Sequence, residues 1–214
     1  MKRTRKHALD TRAHILDAAE HVFIQHGLSR ASLSDVADAA GVTRGAVYGH
    51  FRNKLAVFEA LFSDASLPVD PFIVESGGWG DDPLGQLQRN LVALLTQVLS
   101  TGSARRLYTI LLSRCELSVE TEVFWHRMDS SRRHAETQIE HALRAAMSRN
   151  QLRPDLDAQR AAAIIHSGLT GFFLRSLREP LPLQPDVEAL RVVFSIIQGI
   201  GLGPLGESHP LRRN

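Results

Sequence analysis

The stretch Ser32–Lys54, SLSDVADAAGVTRGAVYGHFRNK, decides how the rest of the chain is read. Ser32 followed three residues later by Asp35 is a capping pair that opens a short helix. Leu33, Val36, Ala37 and Ala40 recur at helical spacing, so one face of that helix is apolar. Gly41 stands where the helix must stop, because a left-handed residue costs little only as glycine. Val42 can plug the turn, and the hydroxyl of Thr43 can cap a second helix. In that helix Val47 and Phe51 point one way, leaving Arg44, Ala46, Tyr48 and His50 on other faces. The stretch predicts helix, tight turn, helix, and the start of a further helix.

This spacing is that of a helix-turn-helix over residues 32–51, whose second helix lies in the DNA major groove. Thr43 and Arg44 sit at a helix N-terminus, where backbone N–H groups and the helix dipole attract phosphate. Gly45 and Ala46 are small and allow close approach to the bases. Tyr48 and His50 carry polar tips that reach toward phosphate oxygens, and Lys54 opens the next helix with a cation. The turn alone does not separate this reading from an ordinary helical domain with two short helices around a glycine.

The full run does. Asp35-Val36-Ala37, then Ala40-Gly41-Val42-Thr43-Arg44-Gly45-Ala46-Val47-Tyr48-Gly49-His50-Phe51 and Lys54, resembles the DNA-binding signature of the TetR family of transcriptional regulators. The resemblance covers residues 8–66 closely and the remainder loosely. It implies DNA-contacting roles for Ser32, Thr43, Arg44, Gly45, Ala46, Tyr48, His50 and Lys54. One departure is Gly49, where many relatives of the multidrug-efflux branch carry tryptophan. Glycine inside a helix costs about 1 kcal/mol relative to alanine.

Composition agrees with a globular protein. Of 214 residues, 43% are apolar and 22% charged, enough to build one large or two small domains. No run approaches a membrane span, and MKRTRKHALD lacks the apolar core of a signal peptide, so a cytoplasmic protein with no membrane contact is expected. The single cysteine, Cys115, fits a reducing compartment. Net charge is +2, unevenly placed: residues 1–56 hold nine basic against five acidic residues, and the rest 16 against 18. A basic N-terminal unit on a slightly acidic body suits phosphate contact at one end.

Working outward, residues 1–7 read as a mobile basic arm, either touching DNA or solvated. Asp10 or Thr11 opens a helix with Ile15, Ala19, Val22 and Phe23 on its apolar face, closed by Gly27. A fourth helix starts at Asn53 and ends near Leu67. The Pro-, Gly- and Asp-rich residues 66–83 read as a loop. An all-α fold follows, with a DNA-binding domain over residues 1–66 and a second helical domain over 67–214. In the second domain, helices are expected over 84–100, 104–117 and 118–150, from Asp155 or Asp157, and from about Asp186. Gly168 and Gly171 would let another helix approach closely. Cys115 reads as a small buried hydrophobe, and no His, Cys, Asp or Glu spacing suggests a metal site or a cofactor.

The last two helices carry more apolar surface than one antiparallel contact needs, which predicts a homodimer. A dimer also places two recognition helices about 34 Å apart on a near-palindromic operator. The alternative is that both helices complete the monomer core. The other helices would enclose a cavity lined by Leu91, Leu94, Tyr108, Leu111, Ile139, His166, Leu169 and Phe173, each of which is otherwise plain core. The run of two arginines, a Leu/Ile-rich turn and Cys-Glu over residues 105–116 resembles the AcrR-like, drug-responsive branch. That resemblance implies a hydrophobic small-molecule effector and an efflux-pump gene as target. Repression released by ligand is the expected mechanism; activation, or regulation of another pathway without a small effector, remains open. An enzyme is disfavoured, since the chain has no Gly-rich phosphate loop, nucleophile elbow or convincing acid pair.

Overall fold

The computed structural model describes residues 2–65, 70–74, 78–100, 102–115, 122–178 and 184–201. Among them are nine helices and no strand: α1 Lys2–His26, α2 Leu33–Ala39, α3 Arg44–His50, α4 Lys54–Asp64, α5 Pro83–Leu99, α6 Ser103–Ser113, α7 Glu122–Ser148, α8 Ala158–Arg178 and α9 Pro185–Gly201. They group into two compact units, one of residues 1–69 and 101–129, the other of 70–100 and 130–214.

The first unit holds α6 together with α1 to α4, because α6 packs on α1. Four aromatic rings explain why. Phe23 of α1 meets Phe58 of α4 edge-on at 6.2 Å, Phe58 meets Phe62 at 5.3 Å, and Phe62 meets Tyr108 of α6 at 5.8 Å. Edge-to-face pairs of this kind contribute about 0.5–1.5 kcal/mol each beyond the area they bury. Polar contacts rim the cluster. Arg106 of α6 pairs with the buried Glu20 of α1, and Arg12 of α1 pairs with Asp64 at the end of α4. The Leu28 amide donates to the Arg114 carbonyl at 2.9 Å, tying the end of α1 to the end of α6.

α1 begins at Lys2, not at Asp10 or Thr11. The expected mobile arm is therefore helical from residue 2. Lys, Arg, Ala and Leu are good helix formers, and nothing before Gly27 breaks the run.

The second unit is built on α5, α8 and α9, which pack against one another. α5 buries Leu87, Leu91, Leu95 and Val98, one apolar stripe at helical spacing. α8 buries Ala158, Ala161, Ala162, Ile165, His166, Leu169 and Phe173. Gly168 does admit a close neighbour, since a Cβ there would stand 2.9 Å from Ile196 Cδ1, whereas a Cβ at Gly171 would meet nothing within 4 Å. The end of α7 turns through Asn150 at φ 57°, with the Gln151 amide reaching back to the Ala146 carbonyl. Cys115 is buried, as a small hydrophobe would be.

Gly27 carries the sharpest backbone demand of the first unit. Its φ is 77°, and a Cβ there would lie 3.2 Å from the Arg114 carbonyl oxygen. Gly27→Ala should cost about 1–2 kcal/mol for the left-handed conformation alone, lowering Tm by roughly 2–8 °C. A circular-dichroism melt checks this; an unchanged Tm would contradict the assignment.

Candidate nucleic-acid interface

α2, α3 and the turn between them are held by local bonds that the sequence dictates. Ser32 Oγ accepts from the Asp35 amide and donates to Asp35 Oδ2, while the Ser32 amide donates to the same carboxylate oxygen at 2.9 Å. That is a complete capping box. It holds the Asp35 carboxyl below the usual carboxylate range, chiefly through the Ser32 hydroxyl. At the other end of α2, Gly41 takes φ 62°, the Val42 amide reaches the Ala37 carbonyl and the Gly41 amide reaches Asp38. These paired bonds stop the helix and turn the chain. Thr43 then caps α3 by accepting from the Ala46 amide at 3.2 Å.

Two residues anchor α3: Val47 is fully buried and Phe51 nearly so. Arg12 of α1 lies over the Phe51 ring, 5.5 Å from its centre. The opposite face is open. Tyr48 is 61% exposed, and Thr43, Arg44, Gly45 and Gly49 are exposed as well. Ala46 and His50 are half-buried, with the His50 ring 6.3 Å from that of Phe51. A Cβ at Gly49 would meet nothing within 4 Å, so packing within the unit does not demand glycine there. A short helix with arginine, two glycines and tyrosine on its free face can lie close to a nucleic-acid surface and reach phosphates from its N-terminal end.

Lys54 has a second task. Its Nζ donates to the Ser29 carbonyl at 2.7 Å, joining the start of α4 to the loop after α1. Ser32 likewise spends its hydroxyl proton on Asp35. Sequence reasoning missed Asn53 as the cap of α4, where it accepts from the Ala56 amide at 2.8 Å; an Asn before a helical run was the available signal.

The residues expected to line a ligand cavity divide between the units. Tyr108 and Leu111 belong to the first, where Tyr108 packs on Phe62. Leu91, Leu94, Ile139, His166, Leu169 and Phe173 belong to the second; all but the half-buried Leu94 are buried. His166 is buried, and its Nε2 donates to Asp70 Oδ2 at 2.8 Å. An open cleft of about 790 Å³ in the second unit is lined by other residues, among them Leu84, Gln88, Gln151, Arg153 and Ile197. No helix among the described residues is long and apolar enough to cross a membrane.

A capped helix-turn-helix with an exposed second helix, set on a helical body, is the architecture of a DNA-binding regulator. Comparison with known proteins makes the class specific. The family described as "Bacterial regulatory proteins, tetR family" matches residues 15–61, and "MAATS-type transcriptional repressor, C-terminal region" matches residues 82–198. The HTH-type transcriptional regulator TtgR of Pseudomonas putida is 34% identical over 191 residues, 88% of this chain and 91% of that protein. The crystal structure of NalD, the secondary repressor of the MexAB-OprM multidrug efflux pump in Pseudomonas aeruginosa, is 32% identical with a TM-score of 0.76. That match covers 90% of this chain and 97% of NalD. A complex of SmeT, from Stenotrophomonas maltophilia, with triclosan is 30% identical with a TM-score of 0.67, covering 94% and 99%. The chain belongs to the TetR family of bacterial transcriptional regulators.

The geometry separates two kinds of substitution. Arg44→Ala and Tyr48→Phe, on the free face of α3, should weaken operator binding while leaving Tm within about 1–2 °C. Lys54→Ala should weaken binding and also lower Tm, because the Ser29 carbonyl loses its donor. Anisotropy titrations paired with thermal melts read both effects. Equal Tm for Lys54→Ala and wild type would contradict the second role. A pH effect accompanies the capping box. Since the Asp35 carboxyl is depressed on folding, its contribution is complete above the unfolded value of about 4. It disappears as pH falls through the lower folded value. Ser32→Ala should therefore show a shallower acid loss of stability than wild type in melts from pH 6 to pH 2.

Proposed function

We propose that the protein is a dimeric repressor that holds a near-palindromic operator through two α3 helices and releases it when a hydrophobic small molecule binds its second unit. The regulated genes would encode a multidrug efflux pump, and the chain would act in the cytoplasm without catalysing a reaction. The observation that carries the DNA part is the exposed face of α3, with Arg44, Gly45 and Tyr48 free above a buried Val47. The relatives support the rest: NalD represses a multidrug efflux pump, and SmeT is solved with triclosan bound.

The dimer reading is supported by apolar surface. Leu190 of α9 and Ile164 of α8 are half exposed, and Val187 and Phe194 of α9 are each 37% exposed. Val187, Leu190 and Phe194 follow at i, i+3 and i+7 and so form one stripe. Two copies pairing through α8 and α9 would remove that stripe from water in a self-complementary contact.

The effector would sit among the buried apolar side chains of the second unit, where Ile139, Leu169 and Phe173 face inward. A ligand that prefers the DNA-incompetent arrangement by about 1–3 kcal/mol weakens operator binding roughly 5- to 150-fold.

Anisotropy of labelled DNA flanking the protein's own gene, at fixed salt and with triclosan or other hydrophobic antimicrobials added, tests this reading. Tight binding weakened by a compound is the expected result. Binding that stays constant with compound demonstrably bound would contradict the release mechanism. Leu190→Arg should shift the protein to monomer in sedimentation and lower operator affinity at least tenfold; a stable Leu190→Arg dimer would place the interface elsewhere.

A further inference from the structure

Between α4 and α5 the chain does something that its loop-like composition does not suggest. Asp70, Pro71, Phe72 and Val74 are all buried in the second unit, and Phe72 is completely so. No helix holds this segment, and among the described residues it makes no backbone–backbone hydrogen bond. Its polar anchor is the Asp70 carboxylate. Oδ1 accepts from the Phe72 amide at 2.8 Å, and Oδ2 accepts from His166 Nε2 at 2.8 Å. The Phe72 ring stands edge-on to the His166 ring, 6.0 Å between centres. On the other side of the imidazole, Glu136 Oε1 lies 4.0 Å from Nδ1 and is itself paired with Arg132.

His166 shares its face of α8 with Leu169 and Phe173, at i+3 and i+7, and both are fully buried. An aromatic side chain from a loop therefore fills space beside the helix face that an apolar ligand would contact. We propose that residues 70–74 are a built-in plug. Phe72 occupies, in the unliganded protein, the place that an uncharged hydrophobic effector with an aromatic ring takes in the second unit. The effector enters by displacing Phe72 and parting Asp70 from His166. This deepens the reading of the chain as a ligand-released regulator and rests on it.

Two physical features favour displacement of this element over the helices around it. Among the described residues no backbone hydrogen-bond ladder holds the segment. An effector with an aromatic ring restores the apolar contacts that Phe72 gives up, so the exchange is close to balanced. The plug begins six residues beyond Asp64, the last residue of α4.

Hydrogen exchange with the full-length protein tests the plug, using the uncharged hydrophobic dye Nile red as probe. Saturating dye should reduce protection across residues 70–74 in wild type, most of all at the Phe72 amide. Phe72→Ala removes the competitor and should bind the dye about tenfold more tightly, as expected when the open state is a minor one. Asp70→Asn keeps an acceptor for the Phe72 amide but loses the charged partner of His166. It should tighten dye binding severalfold, and it carries the test if Phe72→Ala does not fold. Dye binding with unchanged or increased protection at 70–74 would overturn the plug, as would equal or weaker dye affinity in the variants, or no dye binding to any of the three proteins. Operator affinity measured in the same samples separates the two levels. Dye that releases DNA while 70–74 stays protected sinks the plug alone, whereas a protein that binds no operator sinks the functional reading while exchange still reports on the plug.

Discussion

The burial of Phe58 between Phe23 and Phe62 is the contact on which the first unit depends. It joins α1 to α4, and the next ring in the series, Tyr108, brings in α6. Because α3 is only seven residues long, it cannot be stable alone and takes its place from what it packs on. Val47 and Phe51 insert its inner face into this core, and Arg12 closes over Phe51 while pairing with Asp64 of α4. The angle at which α3 presents Arg44 and Tyr48 is therefore set by α2 and α1, on which it packs. In the proposed release, a shift of α4 against α1 would reach α3 through the Asp64–Arg12–Phe51 contacts.

Local structure was legible in the sequence where its cause is local. The capping box at Ser32, the glycine stop at Gly41 and the Thr43 cap each depend on residues within four positions, and all three stand as the spacing predicts. The start of α1 was not legible, because a basic run reads equally as a solvated tail or as helix when no breaker intervenes. Long-range pairing was also hidden. Arg106 with Glu20, Lys54 with the Ser29 carbonyl and Asp70 with His166 join residues 25 to 96 positions apart, and no periodicity encodes them.

The same limit explains the candidate site. Five of the eight candidate DNA contacts, Arg44, Gly45, Ala46, Tyr48 and His50, lie on one short helix, so naming the helix names most of the proposed surface. The candidate ligand-lining residues were chosen as apolar positions on several helices, a criterion that cannot distinguish cavity wall from ordinary core. Tyr108 satisfies it and belongs to the aromatic series of the first unit. His166 satisfies it and is occupied by Asp70. The burial of Phe72 was hidden from the sequence as well, because a Pro- and Asp-flanked segment reads as surface loop until Asp70 is seen to have a buried partner.

Hydroxyl-radical footprinting of the operator complex tests the central claim, that two α3 helices read one duplex, most directly. The account predicts two protected patches on one face of the DNA, centred about one helical turn (~34 Å) apart, and the loss of both together when α3 is altered at Arg44. A single patch, or two patches that survive that change, would contradict it.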